Sequence, residues 1–200
     1  MGIYKYALII LFFSTQLGAR PISYSGGSTL TLTSDKLNDN IYYHYSPNYR
    51  YSLGLEAVED KVLNKKYGYF RFTYLLNRKN IAISQRNLYF QYGVSSRGLD
   101  NQFYGIHGDW ETRRWFSGFG YKKTETKLID FSEQFLQFGI APYIGDYGDF
   151  HTWIMMKSKR NSITNDWSTF PVLKFFKGNA LFEFGYSHTT DWDVYTTYRF

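Results

Sequence analysis

From Tyr24 to Phe200 the chain runs in segments that alternate apolar and polar side chains, separated by turn-like clusters, with no convincing helical repeat. Period two belongs to extended chain, where successive side chains point to opposite faces. In YRYSLGLEA, Tyr49, Tyr51, Leu53, Leu55 and Ala57 share one face, while Arg50, Ser52, Gly54 and Glu56 share the other. YGYFRFTYLL sets Phe70, Phe72, Tyr74 and Leu76 against Tyr69, Arg71 and Thr73. RNLYFQYGV sets Leu88, Phe90, Tyr92 and Val94 against Asn87, Tyr89 and Gln91, and ALFEFGYSH sets Phe182, Phe184 and Tyr186 against Glu183, Gly185 and Ser187. Such segments run about nine or ten residues, the length a tilted strand needs to cross a bilayer.

The turn-like clusters between them alternate in character. SPN at Ser46–Asn48, DWETR around Glu111 and KGN at Lys177–Asn179 are short. SDKLNDN, VEDKVLNKK, SSRGLDN, KKTETKLID and SKRNSITND are longer and polar. Short turns at one end and longer loops at the other are a mark of transmembrane barrels. The spacing predicts an all-β, antiparallel transmembrane β-barrel of about twelve strands, with eight or ten as the open alternatives. Pro171 has no N–H for a ladder, so its strand is expected to be bulged or to lie elsewhere.

Composition supports this reading. Aromatics make up 22% of the chain, yet the mean hydropathy is −0.42. Rings alternating with polar residues give that balance, as do aromatic girdles around a membrane barrel. The absence of cysteine removes disulfides, thiolate nucleophiles and Cys-based zinc sites. The net charge of +6 is read as solvated loop lysines, and no nucleic-acid partner is expected.

The opening MGIYKYALIILFFSTQLGARP has one cation, Lys5, then an apolar run from about Tyr6 to Phe13, then small and polar residues. This is the layout of a secretory signal peptide, and the run is too short to span a bilayer as a helix. The expected organisation is a cleaved leader over residues 1–19 and one barrel domain over 20–200. An exported chain with no later apolar helix would enter a membrane as strands.

Alternation alone does not orient the barrel. A soluble lipocalin-like barrel would turn the rings inward. The ending WDVYTTYRF resembles the C-terminal strand of Gram-negative outer-membrane barrels, which commonly ends in Phe after alternating apolar residues. The resemblance rests on Trp192, Val194, Tyr198 and Phe200, with Thr196 milder than the pattern. It implies location in the cell outer membrane, contact with membrane lipid and lipopolysaccharide, and recognition of the last strand by the outer-membrane insertion machinery. HYSPNYRYSLGLE and APYIGDYGDFHTW also resemble segments of a small family of exported Gram-negative proteins, a likeness that carries no activity and no functional residues.

With rings toward lipid, the lumen-facing set is Arg50, Glu56, Arg71, His107, Asp109, Glu111, Lys122, Glu133, Glu183 and Arg199. Both signs occur, and mutual pairing is their simplest role. Because lumen groups keep water or polar neighbours, neutral replacement of Arg71 or Glu183 is expected to be tolerated better than Lys at Phe72 or Phe184. His107, Asp109 and Glu111 share one face, but residues two apart lie about 6.6 Å from each other along a strand. A shared metal would need ligands from adjacent strands, and Arg113 and Arg114 are nearer partners. No metal site or cofactor is assigned. His151 and His188 stand near Asp149, Ser187 and Asp191 without forming a recognisable triad, and no nucleophile elbow, Walker loop or zincin motif occurs. The reading is a non-catalytic outer-membrane barrel serving as a narrow channel or a structural or surface-interaction protein. An outer-membrane enzyme acting on lipid or peptide, and a soluble periplasmic ligand-binding barrel, are the rival readings.

Overall fold

The computed structural model describes residues 21–96, 98–146, 149–189 and 191–200; the leader expected over residues 1–19 lies outside the described residues. Twelve strands follow one another: β1 Gly27–Ser34, β2 Asn38–Asn48, β3 Tyr51–Asp60, β4 Lys65–Ile81, β5 Ser84–Ser95 and β6 Gly98–Thr112. The second half comprises β7 Trp115–Thr126, β8 Asp130–Ile140, β9 His151–Asn161, β10 Trp167–Lys177, β11 Ala180–Ser187 and β12 Asp191–Arg199. Each pairs antiparallel with its sequence neighbours, and β1 closes on β12, Leu30 opposite Tyr198 and Ser34 opposite Val194. Phe200 extends this seam: its N–H donates to Ser28 O at 3.0 Å and its carbonyl accepts from Ser28 N at 2.8 Å. Closure leaves no strand edge, the condition for placing a sheet in hydrocarbon. The fold is therefore the twelve-strand barrel that the alternation predicts, and eight or ten strands are excluded.

The outer face is apolar. Leu53, Leu55, Phe70, Leu76, Leu136, Phe138, Ile154 and Met156 are all exposed. On β7 the outward series begins at Trp115, passes Phe119 and Tyr121, and turns polar at Lys123. The rings on this face thus precede the first charge.

Two expectations are corrected. The strands run from 8 to 17 residues rather than a uniform nine or ten. Several polar stretches assigned to loops continue the ladders: Asp60 pairs with Lys65, Asn101 with Thr126 and Trp167 with Arg160. Polarity marks where lipid contact ends, and backbone pairing goes further. As a result the connections 35–37, 61–64, 127–129 and 162–166 are short, and the longest, between Ile140 and His151, lies at the end that carries both chain termini. Pro171, secondly, sits inside β10 without a register shift, opposite Met156 of β9. The β10–β11 ladder starts only at Val172, so the missing donor falls where pairing stops.

Candidate functional site: the lumen

The inner face carries the charge, and most of it is paired. Arg71 Nη1 lies 3.1 Å from Glu56 Oε2, with its guanidinium over the Tyr42 ring at 4.3 Å. Lys122 meets Glu133 at 2.6 Å on adjacent strands. Lys174 meets Glu183 at 3.1 Å, and its ammonium stands 3.8 Å from the centre of the Phe116 ring. Each cation is thereby given a carboxylate, a ring or both, which is what a charge removed from water requires.

Two contacts cross the lumen at the mouth opposite the termini. Asn38 at the start of β2 donates to Glu133 of β8 at 3.4 Å; these strands lie half the ring apart. Asp193 of β12 takes Lys157 on one oxygen and Lys159 on the other, each at 2.7 Å. Lys159 also pairs with Asp35 in the β1–β2 turn. Burial alone would raise the Asp35 carboxyl, but Lys159 and the backbone N–H groups of Asn38 and Leu37 outweigh it and hold the group below its usual 3.8.

Between these charges the rings lie against the wall. Gly120 pairs with Phe135, and a Cβ at Gly120 would sit 2.2 Å from a Phe135 ring carbon. Gly93 pairs with Phe103 in the same way, again at 2.2 Å. Glycine at these positions lets a ring lie flat on the neighbouring strand instead of standing in the bore. The space that remains is a cavity of about 800 Å³, lined from the Asp35 turn at one mouth to Pro21 near the other end.

The structure places Glu56, Arg71, His107, Asp109, Lys122, Glu133 and Glu183 on this cavity. Glu111 is half-buried near the terminus end of β6, and Arg199 is buried on β12. Arg50 is a correction: it lies in the β2–β3 turn, exposed, donating to Tyr49 Oη at 3.1 Å. Bulge formation between Tyr45 and Asn48 breaks the alternation just before it. Arg113 and Arg114, expected beside His107, Asp109 and Glu111, stand exposed in the β6–β7 turn. Across the ladders His107 faces Tyr89 and Gly120, Asp109 faces Asn87 and Gly118, and Glu111 faces Gln85 and Phe116. His107 packs between Tyr89 and Phe135, with ring centres 6.0 and 5.7 Å away. Asp109 accepts from Asn87 Nδ2 at 2.7 Å. Among the described residues no group of three or more His, Asp and Glu is placed to hold a metal. His151 and His188 lie at opposite ends of the barrel, at the start of β9 and beyond the end of β11.

Sequence reasoning missed Asp35, Lys157, Lys159, Lys174 and Asp193, which carry much of the lumen's charge. The signal lies in MMKSKRN, where Lys157 and Lys159 continue the inward series of Met155, although SKRN reads as the start of a polar loop.

A closed antiparallel barrel with an apolar exterior and a charged, hollow interior has the architecture of a transmembrane β-barrel. The chain matches no protein-family model and no curated protein sequence. Its fold is similar to a solved structure described as KdgM porin, with a TM-score of 0.51 and 13% sequence identity over 87% of this chain and 99% of that one. A second structure, described as KdgM porin in complex with disordered oligogalacturonate, matches with a TM-score of 0.51 and 14% identity over the same shares. At this identity the likeness is one of fold.

Proposed function

We propose that the chain is an outer-membrane channel that passes small polar or charged solutes through a narrow lumen, after export directed by its N-terminal segment. The observation that carries this is the cavity of about 800 Å³ inside a closed barrel whose charged residues point into it. The porin fold shared with the KdgM structures supports a channel over an enzyme.

The neighbour bound to oligogalacturonate raises the question of a polyanionic solute. Here Arg71, Lys122, Lys157, Lys159 and Lys174 all hold carboxylates of the protein itself. A lumen so balanced favours small solutes of either sign over a long acidic chain. Planar-bilayer recordings under a salt gradient test this. Discrete conductance steps with a reversal potential near zero are expected. Strong anion selectivity would refute the solute reading, and no conductance would refute the channel.

A further inference from the structure

Residues 21–26, ahead of β1, do not hang free below the barrel. Ile22 is 1% exposed and packs against Leu75 and Tyr89. Both belong to the inward series, Leu75 on β4 paired opposite Tyr89 on β5. Ser52 on the inner face of β3 donates to Pro21 O at 3.1 Å, and Ser23 N–H donates to the buried Ser46 hydroxyl on β2 at 2.9 Å. Pro21 itself borders the cavity. The chain therefore turns back at the foot of β1 and runs inside the lumen past β2 and β3 to reach β4 and β5.

The turn is built for that reversal. Gly26 has φ +79, a conformation that glycine adopts without a Cβ penalty. Gly27 N–H donates to Tyr24 O at 3.0 Å, and Gly26 N–H to Ser46 O at 2.8 Å. Tyr24, Ser25 and Gly26 are exposed, whereas Ile22 and Ser23 are buried. No ladder contact involves Pro21–Ser23; strand pairing starts at Gly27. The segment is an anchored apolar residue on a short exposed tether, held to β2 and β3 by single hydrogen bonds and outside the strand ladders.

We propose that Pro21–Gly26 is a tethered plug that sets the size limit at the terminus-side end of the lumen, with Ile22 as the residue that seats it. The inference rests on the channel reading. An aliphatic side chain gains from leaving water, so Ile22 holds the segment against the Leu75–Tyr89 recess. A charge at the same position favours the solvated position outside, and the barrel ladders are untouched by the change.

The test compares three forms of the full chain in planar bilayers and in vesicles challenged with neutral sugars from monosaccharide to trisaccharide. I22D releases the plug. I22C/L75C, in a protein with no other cysteine, locks it by a disulfide under oxidant and frees it under reductant. Heat-modifiable migration in detergent confirms that each form is a closed barrel before recording. In I22D the single-channel conductance is expected to rise about twofold or more, as widening a constriction does, and larger sugars should enter. Oxidised I22C/L75C should conduct no more than wild type and exclude the same sugars, and reduction should move it toward I22D. Equal, non-zero conductance and equal sugar limits in all forms overturn the plug and leave the channel standing. Absence of current and sugar uptake in every form overturns both.

Discussion

Replacing Glu183 by Gln removes the charge opposite Lys174 while keeping the shape of the side chain. The Lys174 ammonium lies 3.1 Å from Glu183 Oε1, and the two side chains are only 5% and 8% exposed. Removing one partner of a buried ion pair costs about 3–5 kcal/mol, because the other charge remains without its counterion. The Gln carbonyl still accepts a hydrogen bond, which returns about 1 kcal/mol. The Phe116 ring stays 3.8 Å below the ammonium and contributes equally before and after. E183Q is therefore expected to lose about 2–4 kcal/mol. The double replacement K174M/E183L removes both charges beside the cluster of Phe116, Met155, Phe170 and Val172, and should stay within about 1 kcal/mol of wild type. Reversible urea unfolding in phospholipid vesicles, followed by tryptophan fluorescence, reads both. A loss under about 1 kcal/mol in E183Q, or a double variant as unstable as the single, would refute the buried-pair argument. The same reasoning revises the expectation that Glu183 tolerates neutral replacement better than Phe184 tolerates Lys: a lipid-facing Lys costs about 2–4 kcal/mol, the same range.

Substituting Ala at Gly120 should push the Phe135 ring off the wall into the bore, costing about 1–3 kcal/mol and lowering conductance; an unchanged current would show that the ring does not border the path. Replacing Phe200 by Glu should reduce outer-membrane levels in cells more than the yield of refolding in detergent, if the last strand is read by insertion machinery; equal effects in both settings would leave only the seam contact with Ser28. Acidification should loosen the mouth. The Asp35 carboxyl is held below 3.8 in the fold, so its pairing stabilises the protein above that pH and is lost as pH falls through the lower folded value. A pH series from neutral to 3 should show a late acid loss of stability that D35N lacks, D35N being less stable than wild type at neutral pH.

The strands were legible because lipid and lumen impose opposite chemistry on alternate residues, and this leaves a period that needs no partner to be seen. YGYFRFTYLL and ALFEFGYSH show it directly. Strand ends were not legible, since Lys65, Glu125 and Arg160 look like loop residues although their backbones remain paired. The lumen was half legible. Glu56, Arg71 and Glu183 follow from alternation, but their partners are set by register, and Lys174–Glu183 or Lys157–Asp193 cannot be paired without it. Ile22 was invisible for another reason: an isolated aliphatic before the first strand has no pattern around it, and only the folded ring supplies the recess it fills.

The ladders that outrun the apolar band have a mechanical consequence. Away from the termini, β3, β4, β6 and β7 carry their pairing into a zone of surface ion pairs such as Lys66–Glu59 and Lys127–Asp100. That end is a collar of hydrogen-bonded wall beyond the apolar band. It has little loop to fold across the opening, and what spans it is side chains, Asn38 to Glu133 and Lys159 between Asp35 and Asp193. Residues 21–26 and the longest connection, after Ile140, both lie at the other end.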